Sequence, residues 1–87
     1  MKYYVYLLVN VSRNKTISYV GYTTNLNKRL KLHNKGKGAK FTKGRKWYLA
    51  YTKSYKNKST AMKNEYLLKK NYKKRIEIKK NFTLLNK

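Results

Sequence analysis

An unbroken run of apolar and aromatic residues near the amino terminus limits the folds open to this chain more than any other feature. Tyr3 to Val9 contains only tyrosine, valine and leucine, and such a run is typical of a β-strand that is covered on both faces. Thr16 to Tyr22 is again rich in β-forming residues and is predicted to pair antiparallel with the first strand, across a turn over Asn10 to Lys15. Gly21 inside the second run indicates a bulge or a close approach of the backbone to another group.

The rest of the chain predicts one more strand and three helices. The predicted elements are a helix from Leu26 to His33 after the cap candidates Thr23 to Asn25, a strand from Trp47 to Tyr55, a helix that starts at cap candidates within Asn57 to Thr60 and ends near Asn71, and a last helix over Tyr72 to Phe82. The order β-β-α-β-α-α and the length of 87 residues predict a single α+β domain. It should contain a small three-stranded, mostly antiparallel sheet flanked by helices.

The charge balance predicts a polyanionic partner. Twenty-four lysines and arginines stand against two acids, Glu65 and Glu77, which gives a formal net charge of +22. So large an excess is self-repelling, and nucleic acid is its natural counterpart, with an anionic membrane surface as the lesser alternative. No apolar run approaches the roughly 20 residues of a membrane span, and the first strand is too short and too rich in tyrosine for a signal peptide. We therefore expect a cytoplasmic protein. The absence of cysteine excludes a disulfide framework and a cysteine zinc site.

One of the two acids lies where an apolar residue is expected. Ala61, Glu65, Leu68 and Tyr72 recur on one face of the predicted second helix. A carboxylate on this inward face requires a partner, which is either one of the many cations or a metal ion. The salt bridge is the commoner fate of a buried acid, and the helix pattern by itself leaves both partners open.

The segment between the first helix and the third strand is predicted to be a mobile, cationic loop. Asn34 to Lys46 contains three glycines among basic residues, and glycine allows backbone amides to approach a phosphate. Lys40, Lys43 and Arg45 are the candidate phosphate contacts, against the simpler interpretation of a solvated basic loop. Trp47, which follows the loop, could stack on an unpaired base, but packing in the core is the expected role.

An ordered set of residues resembles the signature of the GIY-YIG nuclease superfamily. The set consists of Tyr4-Val5-Tyr6 in the first strand, Tyr19-Val20-Gly21 in the second, Arg29 ten residues after Tyr19, His33 four residues later, and Glu65. The stretch from Gly36 to Arg45 resembles the small stand-alone branch, which is related to the N-terminal catalytic domain of the bacterial excision-repair nuclease. The resemblance covers about residues 3–80. Tyr4 occupies the first glycine position, and Tyr22 stands where several relatives have lysine.

This resemblance implies a Mg²⁺-dependent DNA endonuclease, with Mn²⁺ as an alternative metal, that acts in DNA repair or on damaged or branched DNA. The implied catalytic residues are Tyr6, Tyr19, Arg29, His33 and Glu65. One of the two tyrosines would be the general base, and Glu65 would be the single protein ligand of the metal. Gly21, Lys40, Lys43 and Arg45 are the implied substrate-binding residues.

The chemistry of these residues sets further expectations. With only two acids, a two-metal carboxylate cluster is not available. The net charge, an adjacent metal and a guanidinium should lower the pKa of the catalytic tyrosine. Two other functions stay open. One is a non-catalytic basic nucleic-acid-binding protein, associated with ribosomes or the nucleoid. The other is a degenerate nuclease domain. The oligomeric state, monomer or homodimer, is also left open.

Overall fold

The computed structural model describes residues 1–12 and 15–85. The strands are β1 (Tyr3–Ser12), β2 (Lys15–Thr23) and β3 (Tyr48–Tyr55), and the helices are α1 (Leu26–Asn34), α2 (Lys58–Lys70) and α3 (Tyr72–Leu85). The predicted α+β class and the element order are confirmed. The turn predicted over Asn10 to Lys15 is shorter than expected because both strands extend into it, and Arg13 and Asn14 lie outside the described residues.

The three strands form one antiparallel sheet in the order β2-β1-β3. Across the β1–β2 pair, Tyr6 lies opposite Gly21, and this ladder is regular. The β1–β3 ladder changes register between Leu7 and Leu8, which pair with Tyr51 and Leu49. Ala50 is therefore the extra residue of a β-bulge, a feature that increases the local twist of a strand.

The central strand β1 is covered on both faces, as predicted. Val5, Leu7 and Val9 face one way and are 2% exposed or less. They pack against Val20 and against Ala61, Leu68 and Ile78 from α2 and α3. The alternate residues Tyr6 and Leu8 face the other way and pack with Trp47 and with the leucines of α1. Side chains of a strand alternate between faces, so the uniformly apolar run is explained by two separate cores.

Asparagine side chains begin all three helices. Asn25, Asn57 and Asn71 accept hydrogen bonds from the backbone amides of Lys28, Thr60 and Lys74 at 3.0, 2.8 and 3.0 Å. These are N-cap contacts, which satisfy amides that lack a partner inside the helix. Helix α2 thus ends just before Asn71, where ψ is 82°. None of the helices described is long and apolar enough to cross a bilayer.

This helix break corrects the predicted apolar stripe of α2. Ala61 and Leu68 are buried as expected, and Glu65 lies between them with its side chain 19% exposed. Tyr72, however, belongs to α3 and is 64% exposed. Asn71 redirects the chain, so the helical period cannot be extended from Leu68 to Tyr72.

Candidate active site

The phenol of Tyr6 lies directly over Gly21. A Cβ atom added at Gly21 would lie within 2.6 Å of Tyr6 Cζ and closer still to the phenol oxygen, whereas non-bonded carbon atoms normally stay about 3.5–4.0 Å apart. Only glycine leaves room for the tyrosine ring at this position. Of the two alternatives predicted for Gly21, the close approach is correct, and the group that approaches is Tyr6.

His33 connects the phenol of Tyr6 to the loop that follows α1. Its imidazole is fully buried, at 0% exposure. Nε2 is 2.8 Å from the Tyr6 hydroxyl, and Nδ1 is 2.9 Å from the hydroxyl oxygen of Thr42. The Thr42 hydroxyl donates in turn to the carbonyl of Ala39 at 3.0 Å. The two buried contacts of the ring make His33 part of a hydrogen-bond chain, whereas helix α1 is capped by other groups.

Arg29 is the third polar group at Tyr6. Its Nε donates to the phenol oxygen at the long distance of 3.5 Å, and its Nη2 donates to the carbonyl of Gly38 at 3.1 Å. Arg29 also borders a cavity of about 450 Å³ whose other lining residues are Tyr3, Tyr22, Thr23, Thr24 and Lys58. The guanidinium thus lies between the buried phenol and an open space with a second cation, an arrangement suited to an anionic group.

The electrostatics of Tyr6 differ from the expectation. Burial raises the pKa of Tyr6 above its ordinary value of about 10, Arg29 opposes the rise, and Tyr19 and Glu65 add to it. The expected lowering is therefore wrong for Tyr6. Desolvation of a phenolate outweighs one guanidinium, and exposed lysines more than about 10 Å away are screened by solvent. Burial, followed by the charge of Arg29, also lowers the pKa of His33 below about 6.5. Both groups are thus neutral near pH 7.

Tyr19 is half-buried and belongs to an aromatic cluster beside His33. Its ring centroid is 5.1 Å from that of His33, and it stacks on Phe41 at 6.2 Å with an angle of 20°. Trp47 completes the cluster. It is 1% exposed, and its indole NH donates to the backbone carbonyl of Thr42 at 2.9 Å. The core role expected for Trp47 is confirmed.

Glu65 approaches this site from α2 without a hydrogen bond to it. Its carboxylate is close enough to raise the pKa of Tyr6. Among the described residues its ion-pair partner is Lys69, one helical turn away at 3.7 Å and half exposed. Such a surface pair contributes little stability, so it leaves most of the carboxylate's coordinating capacity unused. The part of the chain that the structure describes contains no cluster of three or more histidine, cysteine or acidic residues.

The loop after α1 is anchored at its centre instead of being uniformly solvated. Thr42 is fully buried, and a Cβ atom at Gly38 would lie within 2.6 Å of His33 Cγ. Neither residue was singled out from the sequence, and the only signal for them was the resemblance over Gly36 to Arg45. Lys43 and Arg45 line a basic cavity of about 670 Å³ together with Asn34, Lys35, Gly36, Gly44 and Lys46. Lys40 is exposed and does not line it.

The structure thus brings the predicted site residues together to different degrees. Hydrogen bonds link Tyr6, Arg29 and His33, and ring packing adds Tyr19. Glu65 is linked only through its charge.

Comparison with known proteins assigns the chain to a class with a matching signature. The sequence model of the GIY-YIG catalytic domain matches residues 2–81, and the chain belongs to this family. The predicted resemblance is confirmed.

Similar small proteins are found in other bacteria. A UPF0213 protein of Oceanobacillus iheyensis is 46% identical over 69 residues, which cover 78% of this chain and 77% of that protein. A UPF0213 protein of Staphylococcus haemolyticus is 45% identical over 69 residues, with 78% and 80% covered. The solution NMR structure of a UPF0213 protein from Bacillus halodurans is 38% identical, covers 88% of this chain and 80% of that chain, and has a TM-score of 0.49.

Proposed function

We propose that this protein is a DNA endonuclease in which Tyr6 is the general base. The observation that carries the proposal is the environment of the Tyr6 hydroxyl, which meets His33 Nε2 at 2.8 Å and Arg29 Nε at 3.5 Å. A proton acceptor and a cation on the same phenol oxygen are what a tyrosine needs in order to take a proton from water. Membership of a nuclease family supports the same reaction.

The proton transfer can be followed atom by atom. As the attacking water gives a proton to the Tyr6 oxygen, the phenol's own proton passes to His33 Nε2. The resulting hydroxide forms a bond to phosphorus, the bond from phosphorus to the leaving oxygen breaks, and that oxygen takes a proton from solvent. The raised pKa of Tyr6 keeps free phenolate scarce at neutral pH, so transfer to His33 must accompany attack. Half-buried Tyr19, beside His33, would orient the water.

A divalent metal would be held by Glu65. Mg²⁺ binds proteins through one or two carboxylates and completes its octahedron with waters and substrate phosphate oxygens. One partly exposed carboxylate with a weak ion pair to Lys69 fits that demand, and Mn²⁺ would accept the same oxygen ligands. The ion would supply charge stabilisation at the phosphate and the leaving oxygen.

The basic cavity supports binding of the DNA backbone. Lys43 and Arg45 share this cavity with other cations, and both would neutralise phosphates. Arg45 also lies 5.5 Å over the ring of Phe41, which is 51% exposed and stacks on Tyr19. An exposed aromatic ring beside the reacting groups suits DNA with an unpaired base, as in branched or damaged DNA. We propose repair or processing of such DNA in the cytoplasm as the role.

The proposal is tested by cleavage of supercoiled and branched DNA with Mg²⁺, Mn²⁺ or EDTA. The chain's two acids provide a matched pair of variants, Glu65→Gln and Glu77→Gln, because Glu77 is exposed on α3. Loss of the metal ligand should remove several kcal/mol of charge stabilisation, so Glu65→Gln should slow cleavage at least about 100-fold. Glu77→Gln should cleave like the wild type, and both variants should still bind DNA.

Two results would contradict the assignment. Cleavage that persists in EDTA and in Glu65→Gln would show that another site or a contaminant is responsible. DNA binding without cleavage under every metal condition would favour the alternative, a non-catalytic basic nucleic-acid-binding protein, for which the net charge of +22 would be sufficient.

A further inference from the structure

Thr42 is a fully buried polar residue inside an otherwise basic and mostly exposed loop. Its hydroxyl oxygen lies 2.9 Å from His33 Nδ1 and 3.0 Å from the carbonyl oxygen of Ala39. Its backbone carbonyl accepts the indole NH of Trp47 at 2.9 Å. Thr42 is thus held from both ends, and its hydroxyl cannot turn away from His33 without losing a buried hydrogen bond.

The hydrogen-bond inventory of this chain determines where the protons lie. A threonine hydroxyl has one hydrogen, and a carbonyl oxygen can only accept, so Thr42 gives its hydrogen to Ala39. The contact between Thr42 and His33 then requires that Nδ1 of the imidazole carries a hydrogen and donates it. A neutral imidazole has a single N–H, so Nε2 presents a lone pair. The phenol of Tyr6, 2.8 Å away, is therefore the donor to Nε2.

We propose that Thr42 is a positioning residue that fixes His33 in the tautomer protonated at Nδ1, so that Nε2 can receive the phenol proton of Tyr6. This inference rests on the proposed function, in which the O–H bond of Tyr6 breaks as the Nε2–H bond of His33 forms. In the opposite tautomer Nε2 would already carry a hydrogen pointing at Tyr6, and the phenol proton would have no acceptor. The orientation of one hydroxyl in the loop would thus control proton transfer two residues away along the hydrogen-bond chain.

The other polar groups around the pair do not set this tautomer. Arg29 from α1, Tyr19 from β2 and Glu65 from α2 act on Tyr6, and Arg29 also acts on His33. Within residues 1–12 and 15–85, the hydrogen-bond partner of His33 Nδ1 is the Thr42 hydroxyl. A Cβ atom at Gly38 would collide with this side of the ring, so the loop is built to bring the Thr42 hydroxyl close to it.

The tautomer can be measured directly because His33 is the only histidine of the chain. Nitrogen-15 NMR of the full-length protein without DNA distinguishes a protonated ring nitrogen from one with a lone pair. In the wild type near pH 7.5, Nδ1 should have the protonated type of shift and Nε2 the lone-pair type. The Thr42→Val variant keeps the shape of the side chain but leaves the Nδ1 hydrogen without an acceptor, so the population should move toward the Nε2-protonated form.

Cleavage rates of the same variants test the consequence. Thr42→Val should slow single-turnover cleavage by roughly 10- to 100-fold, while Thr42→Ser, which restores the hydroxyl, should stay within about threefold of the wild type. Thr83→Val is the matched control, because Thr83 also donates its hydroxyl to a backbone carbonyl, that of Lys79 at 2.9 Å on α3. A purely structural role of Thr42 would lower thermal stability without changing the nitrogen shifts.

The outcomes separate this inference from the proposed function. A wild-type spectrum with the hydrogen on Nε2 would overturn the role of Thr42, and this measurement needs no variant to fold. A Thr42→Val protein that folds and keeps both the wild-type nitrogen shifts and the wild-type rate would overturn it as well. If no form of the protein cleaves DNA while the shifts behave as expected, the proposed reaction fails and the tautomer assignment stands.

Discussion

The replacement of Gly21 by alanine offers a sharp test of the geometry around Tyr6. The new methyl group would lie within 2.6 Å of Tyr6 Cζ and 3.2 Å of Cε1, so the ring must move by about 1 Å to restore an ordinary contact. His33 is fully buried on the far side of the hydroxyl, at 2.8 Å. The ring therefore cannot move by that amount without distorting this hydrogen bond.

The expected cost has a stability part and an activity part. Overpacking of this kind destabilises a protein by about 1–3 kcal/mol, and each kcal/mol lowers the melting temperature of a domain of this size by about 4–8 °C. Displacement of a reacting group by about 1 Å can slow a reaction by about 100-fold. Thermal unfolding followed by circular dichroism measures the first effect. Single-turnover cleavage, at a temperature where Gly21→Ala is folded, measures the second.

Val20→Ala is the appropriate control. Val20 precedes Gly21 in β2 but belongs to the core on the opposite face of the sheet, where it is 5% exposed. Loss of its methyl groups should cost a similar amount, about 1–3 kcal/mol, on the order seen for other buried truncations, without moving Tyr6. The reasoning is refuted if Gly21→Ala melts and cleaves like the wild type, or if Val20→Ala loses as much activity as Gly21→Ala.

Two further predictions concern pH and salt. Because burial lowers the pKa of His33 below about 6.5, the unfolded chain binds more protons just below that pH; the melting temperature should fall as the pH drops from about 7 to about 5, and this dependence should be weaker in His33→Gln. An equal pH dependence in both proteins would contradict the burial argument. The logarithm of DNA affinity should fall linearly with the logarithm of salt concentration, and Lys43→Gln and Arg45→Gln should each reduce the slope by about 1. Exposed Lys63 on α2 provides the control Lys63→Gln, and an equal change there would mean that the basic cavity is not the binding surface.

Local sequence signals predicted the elements well where the cause is local. The apolar run of β1 and the asparagines that begin α1 and α2 act through neighbouring backbone groups, so strands and helices begin close to the expected residues. The bulge opposite Leu7 and Leu8 and the break at Asn71 were not predicted. Both depend on how a strand or helix meets its neighbours, which a periodic pattern does not contain.

The site was predicted as a set of residues, but not as a set of contacts. The ordered tyrosines, Arg29 and His33 identified the family and the site's members. Thr42 was missed because a threonine among lysines and glycines has no sequence signature of burial. It is buried because Trp47 and His33, from either side of the loop, both bond to it.

The sequence by itself determined the element order, the cationic surface and the family, since these follow from residue types and their spacing along the chain. The tertiary structure decided the properties that depend on groups distant in sequence. It placed Tyr6 over Gly21, raised the pKa of that phenol when a lowering was expected, and joined His33 to Thr42. Burial and hydrogen bonding are sums over neighbours from several elements, and only the folded chain brings those neighbours together.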